Sequence, residues 1–245
     1  QIEKDKGIQV EDDKILEIKN LTVGYSKNKP VLSGFDICLN SHEVVGLIGL
    51  NGAGKTTFMK TLCGLLKEYH TEECKWQGNE LSFRNNSFKK SRYTVFAEEH
   101  SFQYFTFWEY SSYIAAAYGK ELTDVEALID GFGFSEFTDT VFKELSTGNL
   151  KKAYLITAFA LKPELLLLDE PVNGLDFQST EYLYQCMGNY KKHGTLLFAS
   201  HILESICLTS DRVLVLEKGE IRKKFEKEEI NAVTIREVLG EHETV

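Results

Sequence analysis

Two stretches near the start of the chain alternate apolar and polar residues, namely residues 15–21 and 31–39. Alternation with a period of two is typical of strands that bury one face. Antiparallel sheets commonly have one face packed on a core and the other in water. The pattern therefore predicts an N-terminal antiparallel β subdomain.

Short, continuous apolar runs follow, with helical sequence between them. They predict strands at residues 43–48, 165–168 and 195–199, with further candidates at 76–78 and 92–96. The predicted helices cover residues 57–66, 149–161, 180–193 and 202–207. Strands that alternate with helices indicate parallel crossover connections. We expect an α/β core in which a parallel sheet is flanked by helices.

The segment from residue 105 to 145 has a different character, with no strong strand pattern. Residues 108–117 and 124–129 have a helical composition. Together with the helix that follows, they predict a helical subdomain inserted at about residues 105–160. The whole chain then divides into a polar N-terminal extension (1–14), one large domain (15–225) and a charged C-terminal tail (226–245) that forms a surface helix or a frayed end.

The charge balance of the chain limits its possible partners. Its 245 residues include 28 Lys and Arg but 37 Asp and Glu, which gives a formal net charge of −9. This excess argues against a nucleic-acid binder with a broad basic face. No apolar run approaches the roughly 20 residues that cross a bilayer, so we expect no membrane span in the chain itself.

Residues 49–56 match the phosphate-binding pattern G-x-x-x-x-G-K-[ST], between a predicted strand and a predicted helix. Its glycines allow successive backbone N–H groups to surround phosphate oxygens. Lys55 can reach the β- and γ-phosphates, and the Thr56 hydroxyl can bind Mg²⁺. The residues expected to contact the nucleotide are Gly49, Asn51, Gly52, Ala53, Gly54, Lys55, Thr56 and Thr57.

Two acidic residues that follow the apolar strand at residues 165–168 form a second part of the candidate site. Asp169 and Glu170 come directly after that strand, where a parallel sheet places ligand-binding groups. Asp169 is expected to hold Mg²⁺ together with Thr56. Glu170 is expected to orient or deprotonate the attacking water. The pair therefore favours nucleoside triphosphate hydrolysis.

The order of these and later motifs resembles that of the ATP-binding subunits of ABC transporters. Residues 145–149, Leu-Ser-Thr-Gly-Asn, resemble the family signature L-S-G-G-Q. Residues 173–176 resemble its D-loop, and His201, after a predicted strand, resembles its switch histidine. Tyr25 corresponds to the aromatic residue that stacks on adenine. The resemblance extends from about residue 15 to 221.

The resemblance implies a P-loop NTPase of the ABC ATPase fold that binds and hydrolyses ATP with Mg²⁺. It implies that Lys55, Glu170 and His201 are catalytic. Two such subunits, as a homodimer or a heterodimer, would face each other head to tail around two ATP. Ser146 and Gly148 of one subunit would then close over the γ-phosphate bound by the other.

The resemblance also implies a location and a membrane partner. Subunits of this kind are peripheral on the cytoplasmic face of the membrane and drive an integral permease that is encoded separately. The compact chain is similar to subunits of bacterial exporters. The alternative hypothesis is a soluble ABC-type ATPase that acts in assembly or mechanical work without transport, whereas Glu170 disfavours a scaffold that does not hydrolyse ATP.

The sequence departs from the family pattern at two places. The signature has Thr147 and Asn149 where the commonest form has Gly and Gln. The glutamine expected between the core and the helical insert is not evident in residues 96–100, Phe-Ala-Glu-Glu-His. Glu98 takes that place, near Mg²⁺, or Ala97 does if the alignment shifts by one. Glu98 otherwise belongs to a solvated acidic turn.

An aromatic-rich run occupies residues 102–113. Family members receive a helix of the membrane subunit in this region. Aromatic side chains are also enriched at protein interfaces. The run forms either that partner groove or the hydrophobic core of the insert.

Overall fold

The computed structural model describes residues 13–26 and 29–240. Residues 1–12 of the predicted extension and 241–245 of the predicted tail lie outside the described residues. The strands are β1 (Lys14–Ser26), β2 (Lys29–Asn40), β3 (Val44–Ile48), β4 (Tyr69–His70), β5 (Glu73–Trp76), β6 (Asn79–Glu80), β7 (Arg92–Val95), β8 (Leu165–Asp169), β9 (Thr195–Ser200), β10 (Arg212–Glu217) and β11 (Glu220–Glu226). The α-helices are α1 (Lys55–Leu62), α2 (Asn86–Ser91), α3 (Phe107–Tyr118), α4 (Val125–Gly131), α5 (Thr147–Leu161), α6 (Phe177–Asn189), α7 (Leu203–Thr209) and α8 (Ala232–Leu239).

The first sheet is antiparallel, with strand order β2-β1-β5-β6 and β4 paired to β1. Leu16 and Ile18 of β1 are fully buried, as the alternating pattern predicts. The strand predicted at residues 76–78 is wrong beyond Trp76. Gln77 and Gly78 have φ angles of 49° and 77° and form the two-residue turn between β5 and β6.

The second sheet has the strand order β11-β10-β3-β9-β8-β7. The five strands from β10 to β7 are parallel, which confirms the predicted α/β core. β11 pairs with β10 in the antiparallel direction. β10 and β11 are not among the strands predicted from the sequence, although residues 213–216, Val-Leu-Val-Leu, are a continuous buried apolar run.

Two hydrophobic clusters lie on opposite faces of this parallel sheet, and β8 contributes to both. Leu165 and Leu167 belong to the cluster shared with the antiparallel sheet and α1. Leu166 and Leu168 belong to the cluster shared with α3, α5 and α6. A buried Leu side chain contributes about 1.5–3 kcal/mol. Burial on both faces therefore fixes the position of β8 and of the acidic residues at its end.

The segment predicted as a helical insert contains α3, α4 and most of α5. α3 begins with a capping box, in which the Thr106 hydroxyl accepts from the Glu109 N–H and the Glu109 carboxylate accepts from the Thr106 N–H. The buried Tyr110 ring packs against those of Phe142 and Tyr154, with centroids 5.3 and 5.2 Å away. Part of the aromatic run is thus hydrophobic core.

The segment predicted as a charged tail begins where β11 ends. It contains α8, whose Ile235 is fully buried. The Asn231 side chain accepts a hydrogen bond from the Val233 N–H and caps this helix. The described part of the tail therefore contains a surface helix that packs on the domain through Ile235.

Candidate active site

The register of three neighbouring strands brings the predicted site residues together. Ile48, the last residue of β3, lies opposite Ser200 on β9. Asp169, the last residue of β8, lies opposite Ala199 on the same strand. The carboxyl ends of parallel strands lie at one edge of a sheet. The phosphate loop, the acidic pair and His201 therefore share that edge.

The conformation of the phosphate loop depends on its glycines. Gly52 and Gly54 have φ angles of 82° and 115°, which residues with a side chain rarely adopt. A Cβ atom on Gly54 would lie 2.5 Å from Leu32 Cδ2, and one on Gly49 would collide with the Leu216 carbonyl. The glycines thus allow a path that other residues would block, and Lys55, Thr56 and Thr57 at the start of α1 line the adjacent cavity.

Lys55 is buried at the start of α1, and its charged end lies inside the loop. Its Nζ donates to the Gly49 carbonyl at 2.7 Å. The same Nζ lies 3.5 Å from Glu170 Oε1. The ammonium group is therefore held between the loop and the second acidic residue, where a β- or γ-phosphate would meet it.

Asp169 and Thr56 form a pair that suits a divalent cation. Thr56 Oγ1 donates to Asp169 Oδ2 at 2.8 Å, whereas the buried Oδ1 has no hydrogen-bond partner. Burial raises the pKa of the Asp169 carboxyl. A buried carboxylate oxygen with no partner is costly, and Mg²⁺ prefers such oxygen ligands. The two side chains fit a Mg²⁺ ion bound together with phosphates.

The Glu170 carboxylate is held from two sides. Lys55 Nζ lies near its Oε1, and His201 Nδ1 donates to its Oε2 at 2.8 Å. The backbone has a φ angle of 49°, and its N–H donates to the Ala199 carbonyl at 2.9 Å. This strained conformation turns the chain sharply at the strand end and orients the side chain toward the phosphate loop.

Most of the residues that are predicted to contact the nucleotide line one cavity of about 380 Å³. Tyr25 lies at its rim with 62% of its surface exposed. The Ala53 N–H donates to the Leu50 carbonyl at 3.1 Å within the loop turn. The residues that line the cavity are Tyr25, Val31, Asn51, Gly52, Gly54, Lys55, Thr56, Thr57 and Glu170.

Ser146 and Gly148 lie apart from this cavity, since neither is among its lining residues. The exposed Ser146 caps α5, and its Oγ accepts from the Asn149 N–H at 3.2 Å. Gly148 contacts the loop that follows the acidic pair, because a Cβ on it would lie 2.5 Å from the Gly174 carbonyl oxygen. Within one chain, the start of α5 therefore packs against the loop that follows the acidic pair.

An ion pair that the sequence did not reveal strengthens the same contact. Lys152 Nζ lies 2.7 Å from Asp176 Oδ2, and this hydrogen bond lowers the pKa of the Asp176 carboxyl. Asp176 also accepts from the Ser179 N–H and caps α6. Lys152 is buried, which a charged residue rarely is unless it is paired.

Glu98 and Ala97 line a different cavity, of about 260 Å³, between the end of β7 and α5. Glu98 is exposed and Ala97 is half-buried. The structure does not bring Glu98 to the cavity formed by the phosphate loop. Its assignment as a metal ligand stays a prediction.

Among residues 13–26 and 29–240, no helix combines the length and the apolar character needed to cross a bilayer.

Known proteins are similar to this chain in sequence and in fold. The family model "ABC transporter" matches residues 32–173, more than half of the chain. The putative ABC transporter ATP-binding protein AlbC of Bacillus subtilis (strain 168) is 32% identical over 216 residues, which cover 85% of this chain and 90% of AlbC. The ABC-type transporter ATP-binding protein EcsA of the same strain is 31% identical, with 86% of each chain covered.

Solved structures of ABC transporter proteins have the same fold as this chain. An ATP-binding subunit of an ABC transporter superposes with a TM-score of 0.78 at 27% identity, and the match covers 92% of this chain and 93% of that one. A bacterial Atm1-family ABC exporter with ATP bound gives a TM-score of 0.81 at 20% identity and shares the fold; this chain covers 43% of it. The chain therefore belongs to the ABC transporter family, as an ATP-binding subunit that hydrolyses ATP.

Proposed function

We propose that two copies of this chain, or one copy and a homologous subunit, close head to tail around two ATP molecules. In each site, Lys55 and the phosphate loop of one subunit would bind the ATP. Ser146 and Gly148 of the other subunit would cover its γ-phosphate. Hydrolysis would then drive a permease encoded separately.

The position of Ser146 is the observation that carries this proposal. Ser146 is exposed at the start of α5, a 15-residue helix, and is absent from the lining of the nucleotide cavity. The first N–H groups of a helix favour an anion. A second subunit can supply this helix start to an ATP bound elsewhere, which a single chain cannot do in this arrangement. Loss of the γ-phosphate would remove the anion and release the subunits.

Within each site, the residues of this chain would divide the work of hydrolysis. Glu170 would accept the proton of the attacking water, and His201 would hold its carboxylate in place. Lys55 would stabilise the negative charge on the phosphates. Thr56 and Asp169 would hold Mg²⁺, which neutralises phosphate charge when bound.

The exposed part of the aromatic run supports docking of a permease. Tyr104, Trp108 and Tyr113 expose 75%, 39% and 52% of their surfaces, whereas Phe107 and Tyr110 are buried. We call these three residues the exposed aromatic face. Large aromatic side chains that are exposed to solvent in the isolated chain are typical of protein interfaces. This contact would place the chain peripherally on the cytoplasmic face of the membrane.

The dimer is tested with Glu170→Gln, which should bind ATP without turning it over. Its molar mass in solution should double on addition of ATP. Ser146→Arg in the same background should stay monomeric with ATP bound, because the large side chain blocks the helix start. Ser82→Arg, at an exposed serine between β6 and α2, is the matched control and should still dimerise. A Glu170→Gln protein that stays monomeric with saturating ATP would contradict the proposal.

The permease is tested by purification of the chain from membranes of the cell that makes it. We expect a partner with several membrane spans, and its loss when Trp108 and Tyr113 are both changed to Ala. Leu208→Ala, at an exposed apolar residue of α7, should leave the complex intact. A stable complex without a membrane protein would instead favour the alternative of an assembly or mechanical ATPase.

A further inference from the structure

Lys151 is a lysine whose charged end is buried in the protein. It lies in the second turn of α5 and exposes 5% of its surface. Its Nζ donates to the Phe96 carbonyl at 3.1 Å and to the Ala97 carbonyl at 2.9 Å. The ammonium group therefore joins α5 directly to the backbone that follows β7.

This link connects two parts of the active site. β7 is the neighbour of β8, whose last residue is Asp169. Ser146 is the N-cap residue of α5 and lies five positions before Lys151. A shift of α5 relative to residues 96–97 would thus move the helix start relative to the acidic pair on β8.

The charge of Lys151 also interacts with the acidic pair. Burial lowers the pKa of its ammonium group, and the nearby charges of Asp169, Glu170 and Glu99 raise it. An ammonium group taken out of water is unfavourable unless hydrogen bonds and opposite charges replace its hydration. Two carbonyl groups and these acids provide that environment. A neutral side chain would leave both carbonyl groups without this donor.

We infer that Lys151 is a positioning residue for ATP hydrolysis. It holds residues 96–97 against α5 and so fixes the start of α5 relative to Asp169 and Glu170. Lys151 does not line the cavity formed by the phosphate loop. The part of this inference that concerns Ser146 rests on the proposed closure of two subunits.

The first test separates turnover from ATP binding. Lys151→Met keeps the length of the side chain and removes the charge and the donors. We expect kcat for ATP to fall at least tenfold, with KM within threefold of wild type. Lys151→Arg keeps donors and charge and should restore kcat to within threefold. The matched control is Lys162→Met, at the opposite end of α5, which should keep the wild-type kcat.

Two results would overturn the inference. One is a Lys151→Met protein whose kcat stays within threefold of wild type. The other is a loss of kcat in Lys151→Arg that equals the loss in Lys151→Met. A merely structural role would lower the fraction of active enzyme without this rescue, so rates are normalised to ATP-binding sites. If Lys151→Met does not fold, Lys151→Leu, which also lacks a donor, takes its place with the same expected loss.

A second measurement distinguishes this inference from the proposed dimer. In the Glu170→Gln background, ATP should give a dimer, and Lys151→Met should raise the ATP concentration required at least fivefold. A Glu170→Gln protein that never dimerises contradicts the proposed closure alone, and the kcat test then decides the role of Lys151. A dimer that forms at the same ATP concentration with and without Lys151 overturns the link to Ser146.

Discussion

His201 Nδ1 donates a hydrogen bond to Glu170 Oε2 at 2.8 Å, which joins the residue after β9 to the residue after β8. An ionised carboxylate only accepts hydrogen bonds, so Nδ1 carries the hydrogen. Lys55 Nζ holds the other oxygen of the same carboxylate. The group that we propose as the general base is therefore fixed in orientation by two basic side chains.

Replacement of His201 should impair turnover more than binding. In His201→Ala, the Glu170 carboxylate loses the hydrogen bond from the imidazole and keeps only Lys55 Nζ and the more distant backbone N–H of residue 201. We expect the ATPase rate to fall by about 10–100-fold. The ATP dissociation constant, measured by titration, should stay within threefold. His193→Ala, at an exposed histidine before β9, is the control. An ATPase rate unchanged in His201→Ala would remove His201 from the catalytic set.

Asp169→Asn should make the protein more stable at neutral pH when no nucleotide is added. Burial raises the folded-state pKa of Asp169 above the unfolded one. The stability that comes from its protonated form is thus present below the unfolded pKa and is lost as pH rises through the folded pKa. Asn removes the buried charge and can still accept from Thr56. We expect a rise in Tm of about 2–4 °C at pH 7, the change produced by roughly 1 kcal/mol in a chain of this size.

The same variant tests the assignment of Mg²⁺. Magnesium with ATP should raise the Tm of the wild-type protein further than ATP with a chelator does, and it should not do so in Asp169→Asn. Asp139→Asn, at an exposed aspartate, should respond as the wild type does. An undiminished magnesium response in Asp169→Asn would contradict the assignment of Mg²⁺, and a lower Tm of this variant at pH 7 without nucleotide would contradict the expected effect of burial.

Tyr25→Ala should weaken ATP binding, since we propose that the adenine stacks on this ring. Stacking of a base on an aromatic side chain contributes about 1–3 kcal/mol, so the dissociation constant should rise about tenfold. Tyr25→Phe should bind like the wild type. Tyr25 is 62% exposed, so loss of its ring should leave Tm nearly unchanged. Equal ATP affinity in Tyr25→Ala, compared with the control Tyr104→Ala, would exclude the stacking role.

Gly148→Ala should disturb the start of α5. Its Cβ would lie 2.5 Å from the Gly174 carbonyl oxygen, so the helix or the loop must move. We expect a lower Tm and at least a tenfold loss of ATPase activity. Gly188→Ala in α6 meets no atom within 4 Å and is the matched control. It should raise stability by about 0.5–1 kcal/mol, because Ala is favoured over Gly in a helix. Similar Tm values in the two variants would show that the Gly174 contact does not matter.

Much of the site could be predicted because its residues follow strand ends that the sequence marks clearly. The apolar run at residues 165–168 specifies a buried strand, and Asp169 and Glu170 must then lie at its carboxyl end. The glycines of the phosphate loop specify a backbone that other residues cannot adopt. These features depend on local sequence, so they can be found without the fold.

Other features depend on contacts between distant segments. Nothing in the sequence distinguishes Lys151 and Lys152 from surface lysines, and only the packing of α5 shows that both are buried and hydrogen-bonded. The turn at Gln77 depends on the pairing of β5 with β6. The prediction for Glu98 depends only on its place in the family pattern, whereas the structure shows its side chain exposed after β7.

The most direct measurement compares steady-state ATP hydrolysis and ATP binding in the wild type and in Glu170→Gln. Gln keeps the size of the side chain and cannot accept a proton from water. We predict a fall in kcat of at least 100-fold, with an ATP dissociation constant within threefold of the wild type. A Glu170→Gln enzyme that turns over ATP at a rate close to that of the wild type would contradict the role of Glu170 as the base.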